Sequence, residues 1–244
     1  MRLAKFLAGA GVASRRASEK IIFNGHVKVN GRIIKDPALD VSEADMIYVN
    51  GAKIAAPSPD EFVYIMFHKP VGVLSTMSPG MEEGPCIADL LKHPKRIFPV
   101  GRLDKDSSGL ILMTNDGNFA NRLIHPSHRV VKEYQIKVNR QLSKENYYRL
   151  RKGIEIDGRA VEVHDLTHAT GGRITLSIHE GRKRIIRRLM REIKMNTVGL
   201  KRIRIGTLTL GSLGIGRWRK LTELELQNLQ RGIQESEKFS GKGK

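Results

Sequence analysis

The chain has 244 residues, 40% of them hydrophobic, and 43 Lys and Arg set against 25 Asp and Glu give a formal net charge of +18. That surplus points to a polyanionic partner, nucleic acid in preference to a membrane, because no strongly basic amphipathic anchor is evident. Cys86 is the single cysteine, which excludes an intramolecular disulfide and a thiolate metal cage, and no apolar run approaches the roughly 20 residues that span a bilayer. A cytoplasmic, globular protein is expected, with no membrane partner and a monomer as the default state.

In chain order, "RLAKFLAGAG" and "SRRASEKIIFNG" read as two short helices, each closed by glycine, with Ser14 or Ser18 as a cap. "HVKVNGRIIK" follows, in which Asn30-Gly31 favours a tight hairpin turn. "AAPSPDE", residues 55–61, reads as a linker. Beyond it the strands "FVYIMFHK", "GLILMT", "EYQIKV", "RITLSIHE" and "KRIRIGTLTLG" are predicted. Helices are predicted at "IADLLKH", "NFANRLI", "KENYYRLRKG", "KRIIRRLMREI" and "LTELELQNLQRGI". Strands and helices do not alternate regularly, so the fold class is α+β, a mixed and mainly antiparallel sheet following a small helix-and-hairpin domain. The expected domains are 1–54 and 62–234, with a disordered basic tail over 235–244.

Arg15, Arg16 and Lys20 can share one face of the second helix, and Lys28 extends that charge onto the hairpin. Cations grouped this way follow a phosphate backbone, with binding that weakens as salt rises. The block from Arg2 to Gly31, with its "SRR" and "G-x-V-x-V-N-G" arrangement, resembles the S-four RNA-binding domain. The resemblance implies structured RNA as the partner and Ser14, Arg15, Arg16, Lys20 and Lys28 as contacts.

Asp104 and Asp106 stand in "GRLDKDSSGLILMT", and local chemistry alone would give either an Asx-turn before the strand. A carboxylate that must stay ionised in a desolvated pocket needs a cation, and "EGRKRIIRRLM" offers five. "HKPVGVLST", "FPVGRLDKDSSGLILMTNDG", "HPSHRVVKEYQIKV", "HEGRKRIIRRLM" and "RIRIGTLTLGSLGIGRWRKLT" are similar, in order and spacing, to the motifs of the RsuA-type ribosomal RNA pseudouridine synthases. That resemblance implies an isomerase acting on ribosomal RNA, nearer to the large-subunit members, with no cofactor. It implies Asp104 as the catalytic carboxylate, Tyr134 as the ring that stacks on the target base, and Arg187 as the arginine pairing with that carboxylate. Arg102 is expected at the gap left by an extruded base, and Arg182, Arg184 and Arg188 are expected to hold substrate. Asp106 keeps its turn role. The chain departs from the family with Ile185 where a glutamine is usual and Thr207 where a proline is frequent, and Ile185 leaves a non-catalytic RNA-binding or ribosome-assembly factor as the competing reading. A nuclease is disfavoured because no acidic cluster suits two metal ions. No metal is expected at His125 and His128, which lack further ligands nearby. Phe67, Phe98 and Trp218 are expected to pack.

Overall fold

A computed structural model describes residues 1–240 except Pro57, Pro79, Met81 and Thr170, with side chains described as far as Glu237. The chain divides into two compact units, Met1–Val63 with the segments His93–Ile97 and Asn115–Gly117, and the remainder.

In the first unit α1 (Leu3–Gly9) and α2 (Arg15–Phe23) precede β1 (Val27–Val29), β2 (Arg32–Ile34), β3 (Ile47–Val49) and β4 (Ala52–Ile54). Ser14 is the cap of α2, accepting from Ala17 N at 3.2 Å, whereas Ser18 is buried. Asn30 and Gly31 turn the first hairpin with φ of 50° and 82°, the left-handed pair that a two-residue turn requires. Asn50-Gly51 repeats the device between β3 and β4, a second hairpin for which the sequence suggested no strands. The four strands order β2-β1-β3-β4, and Leu3, Phe6, Leu7, Ile22, Val27 and Ile47 form their core with the helices.

The second unit is built on nine strands: β5 (Tyr64–Lys69), β6 (Phe98–Val100), β7 (Ser108–Thr114), β8 (Lys132–Val138) and then, past the two-stranded hairpin β9 (Ile154–Ile156) and β10 (Arg159–Val161), β11 (Leu166–Ala169), β12 (Arg173–Ile178), β13 (Thr197–Ile205), β14 (Leu208–Thr209) and β15 (Trp218–Lys220). Its order is β11-β12-β8-β13-β7-β5-β15, with β14 on β13 and β6 on β7, and only the β13–β7 pairing is parallel. The predicted helices form as α3 (Ile87–Leu90), α4 (Gly117–Ile124), α5 (Lys144–Lys152), α6 (Ile185–Glu192) and α7 (Glu223–Ser240), the first shortened to one turn. Leu110 and Leu112 of β7 pack with Met66 of β5, Phe119 and Leu123 of α4, and Leu229 and Ile233 of α7. That packing carries α7 through residues 235–240, where a disordered tail was expected; Glu237 lies 2.8 Å from Arg122 of α4 and fastens the helix. Residues 241–244 of that expected tail lie outside the described residues. Phe67 is fully buried and Phe98 partly so, but Trp218 sits on the edge strand β15 with 38% of its surface exposed, because an edge has one neighbour instead of two.

Candidate active site

The loop that carries Asp104 is fixed from both sides. Gly101 turns the chain after β6 with φ of 76°. Ser75 then brackets the next step: its Oγ donates to Leu103 O at 2.6 Å and accepts from Leu103 N at 3.0 Å, both in buried surroundings. Gly72 N donates to Lys105 O at 2.7 Å, and Ser107 N donates to Asp104 O at 3.0 Å, closing the turn before β7. The backbone of Asp104 is therefore held by the "KPVGVLS" segment, while its side chain is partly exposed. A carboxyl group on so constrained a loop loses little freedom on meeting a substrate, which is how positioning contributes to rate.

The cations do not fall where the resemblance implied. Arg187 lies 3.2 Å from the carboxylate of Asp106, not on Asp104, and also donates to Asp106 O at 2.9 Å and Thr197 O at 3.3 Å. Arg184 joins it on Asp106 at 2.9 Å. The reason is the turn itself, since Asp106 occupies its outer corner and meets the start of α6. Asp106, read from sequence as a simple turn residue, thus ties the Asp104 loop to α6, and the surplus of arginine in "GRKRIIRR" was the signal that a carboxylate would be needed there.

Lys69 was missed as well. The side chain at the end of β5 is fully buried; its Nζ donates to Pro70 O at 2.8 Å and Val73 O at 2.6 Å. Burial pushes its pKa down to about 8, and the charges of Asp106 and Asp104 oppose that fall. Lys69 is thus a buried cation, a lysine in "HKPVG" and not an arginine, whose charge interacts with Asp106 and, less, with Asp104. Its linkage has a definite sign. The folded pKa lies below the usual 10.5, so the unfolded chain binds more protons from about pH 8 to about pH 10.5 and stability rises with pH across that window. Lys69→Met removes this part of the rise, about 3 kcal/mol over the whole window, which urea unfolding at pH 8 and pH 10 would read. An equal rise in the variant would show that Lys69 is not the titrating group. Lys132, depressed to about 8 by burial and by Arg202, supplies a remainder of the same sign.

Strand register assembles the other side. Tyr134 on β8, 7% exposed, is the partner of Leu176 on β12 and of Arg202 on β13. Arg202 in turn is the parallel partner of Gly109, which follows the Asp104 loop into β7. Tyr134 and the loop are thus separated by a single intervening strand. Arg202 is 3% exposed and donates through Nε to Leu110 O at 2.8 Å. Its Nη2, Arg187 Nε, Ser107 Oγ and Thr197 Oγ1 are buried without a hydrogen-bond partner. Unmet polar atoms of this kind are costly unless a ligand takes them; Ser107 belongs to the Asp104 loop, and Arg187 and Arg202 donate to Asp106 O and Leu110 O on either side of it.

The remaining expected contacts are distributed differently. Arg182 pairs with Glu180 and donates to Ile156 O and Arg159 O, which braces the β9–β10 hairpin. Arg188 pairs with Asp157 in the turn of that hairpin. Both were expected to hold substrate; in the structure both guanidinium groups are taken up by neighbouring carboxylates. Arg102 is largely exposed, 3.9 Å from Glu82. Ile185 is buried in α6 with Ile186, Leu189 and Met190, so the departure from glutamine fills core volume. Thr207 is exposed in the turn between β13 and β14. In the first unit Arg15, Arg16, Lys20 and Lys28 are exposed, and Ser14 is exposed while capping α2. Among the described residues one trio of metal-type donors gathers, Glu162, His164 and His179, within 4.8 Å of one another. Arg129 already takes Glu162 at 2.6 Å, and the imidazoles share a hydrogen bond at 2.9 Å.

Residues 63–192 match the family model of RNA pseudouridylate synthases, and residues 1–47 match that of the S4 domain. The chain is 39% identical over 236 residues to a Bacillus subtilis protein named ribosomal large subunit pseudouridine synthase B, covering 94% of this chain and 95% of that one. It is 37% identical over 239 residues to an uncharacterized RNA pseudouridine synthase of Aquifex aeolicus, with 96% and 95% covered. A Salmonella typhi protein named dual-specificity RNA pseudouridine synthase RluF is 34% identical, with 96% and 80% covered. A solved structure of a pseudouridylate synthase superposes with a TM-score of 0.68 at 29% identity, over 94% of this chain and 99% of that one. The chain belongs to the RNA pseudouridine synthase family: it is an isomerase with an RNA-binding S4 domain at its front.

Proposed function

We propose that this enzyme converts one uridine of large-subunit ribosomal RNA to pseudouridine, with Asp104 as its catalytic carboxylate, in the cytoplasm, as a monomer and without a cofactor. The observation that carries the reading is the loop of Asp104, clamped by Ser75 and Gly72 beside the buried cation Lys69. The near-full-length likeness to a relative named for the large ribosomal subunit supports the choice of RNA.

The isomerisation breaks the N-glycosidic bond, turns the uracil and joins its C5 to the ribose, so no electrons or groups are imported. The base must first leave its stack, at a cost of a few kcal/mol that is least for an unpaired uridine. Arg102, exposed on the loop, fits the space the base vacates. Tyr134 supplies a ring face worth about 1–3 kcal/mol to the extruded base. Positive charge develops on the ribose as the glycosidic bond opens, and an ionised Asp104 beneath it lowers that barrier. The carboxylate acts either as a nucleophile on the anomeric carbon or as the stabiliser and base of a cleaved intermediate. Lys69 and the pairing of Asp106 with Arg184 and Arg187 keep the loop placed while this happens, and the S4 domain, with Ser14, Arg15, Arg16, Lys20 and Lys28, holds structured RNA.

Pseudouridine mapping of ribosomal RNA from cells with and without the gene tests the proposal. Loss of a single large-subunit position is expected. An unchanged map would replace it with the assembly-factor reading, and a loss confined to the small subunit would overturn the choice of RNA.

A further inference from the structure

The pairing of β11 with β12 continues beyond the last partners of the ladder. His164 N donates to Ser177 O at 2.9 Å and Ser177 N donates to Asp165 O at 3.0 Å, so the chain entering β11 runs against the end of β12. That backbone contact sets His164 across from His179. The two imidazoles do not stack, with ring centroids 5.1 Å apart and planes inclined by 49°; instead His164 Nε2 faces His179 Nδ1 at 2.9 Å. Glu162, two residues before His164, brings its Oε2 to 3.9 Å from the same Nδ1. The donor atoms of all three lie within 4.8 Å of one another, and among the described residues no second trio of this kind gathers. The cluster lies open to solvent, with Glu162 and His164 exposed and His179 half-buried.

We infer that Glu162, His164 and His179 bind a zinc ion that takes no part in the isomerisation and pins the segment leading into α6. Two imidazoles and a carboxylate suit zinc, whereas magnesium favours oxygen ligands in a near-octahedral shell. Zinc bonds of about 2.0–2.2 Å place tetrahedral donors about 3.4 Å apart. The two nitrogens therefore part by about half an ångström, and the carboxylate closes on both, which is within reach of a long side chain that is 56% exposed. Without an ion, two ring nitrogens facing each other are satisfied by one shared proton; an ion between them takes both lone pairs. Arg129 becomes the outer partner of the site. Its Nη2 holds Glu162 Oε2 at 2.6 Å and leaves the second carboxylate oxygen to the ion, as ligating carboxylates are themselves hydrogen-bonded. Arg129 precedes β8, Glu162 and His164 join β10 to β11, and His179 begins the stretch that ends in Arg184, the partner of Asp106. One ion thus fastens three parts of the chain that lie far apart in sequence, and the inference stands independently of the proposed activity.

The test is calorimetric titration of the full chain, stripped of metal by a chelator, with zinc chloride at neutral pH and with magnesium chloride as the comparison. One equivalent of zinc and no magnesium is expected to bind. His164→Ala and His179→Ala are each expected to weaken zinc binding by at least about a hundredfold, since even an outer partner of a metal site is worth about 10–100-fold. Glu162→Gln, which keeps the shape and loses the charge, is expected to cost about tenfold. Saturating zinc should raise the Tm of the unsubstituted protein and leave that of the histidine variants unmoved. His125→Ala removes an imidazole from the other close pair, whose rings lie 5.7 Å apart, and is expected to change nothing. Cobalt(II) in the unsubstituted protein should give visible absorption bands that zinc abolishes, a signature that keeps the inference testable if a histidine variant fails to fold. Absence of saturable zinc binding would overturn the inference, as would full affinity in both histidine variants. An equal loss in His125→Ala would overturn it too, because zinc would then be spread over surface imidazoles.

Discussion

Asp104→Asn is expected to reduce pseudouridine formation on deproteinised ribosomal RNA by at least about a thousandfold, the order lost when an interaction made only in the transition state is removed. RNA affinity is expected to hold, because the groups that keep the loop in place are not on the Asp104 side chain. Ser75 binds the backbone of Leu103, Gly72 binds that of Lys105, and Ser107 binds the carbonyl of Asp104. Asparagine has the shape of aspartate and none of its charge, so it separates electrostatics and nucleophilicity from packing. Asp106→Asn is the informative companion. It removes the charge that Arg184 and Arg187 share, and is expected to loosen the loop and cost activity together with stability. A fully active Asp104→Asn enzyme would transfer the catalytic role elsewhere, with Asp106 the first candidate.

Gly109→Ala is expected to be the most damaging single methyl addition in the catalytic unit. A Cβ at this position would lie 2.2 Å from Arg202 O and 2.5 Å from Arg202 N, and both are backbone atoms with nowhere to go. The residue also has φ of +116°, a conformation that L side chains rarely adopt. Overpacking and backbone strain together put the cost at roughly 4 kcal/mol. Part of it must be relieved by parting β7 from β13, the parallel pair that brings the Asp104 loop within one strand of Tyr134. Chemical denaturation should show the loss of stability, and activity should fall even at temperatures where the variant stays folded. A variant as stable as the parent would mean that the close crossing of these two strands is not needed.

The sequence made the local elements legible because their signals are local. Ser14 before "RRASEK", Asn30-Gly31 between alternating apolar residues, and the all-apolar "LILM" each report their own structure through capping, turn preference and burial. The α+β class followed from the irregular order of those elements. What stayed hidden depends on register. Arg202 partners both Tyr134 and Gly109 only because β13 inserts between β8 and β7, and nothing within "KRIRIG" announces that neighbour. The exchange of Asp104 for Asp106 under Arg187 turns on which corner of a four-residue turn faces α6, a distinction of two peptide units. Lys69 looked like an ordinary strand-end cation, and nothing in "HKPVG" announces that its side chain is fully buried and bonded to Pro70 O and Val73 O. The helical run through residue 235 was hidden because "ESEK" is polar, and its hold on the fold is an ion pair with a helix more than a hundred residues earlier.

Joining C5 of uracil to the ribose releases the hydrogen that C5 carried, so purified protein acting on deproteinised large-subunit ribosomal RNA labelled with tritium at uridine C5 gives the most direct test. The account predicts stoichiometric release of tritium to solvent, equivalent to one uridine per RNA molecule, with no added cofactor and none from Asp104→Asn. Retention of all the label by RNA that the unsubstituted protein demonstrably binds would contradict it.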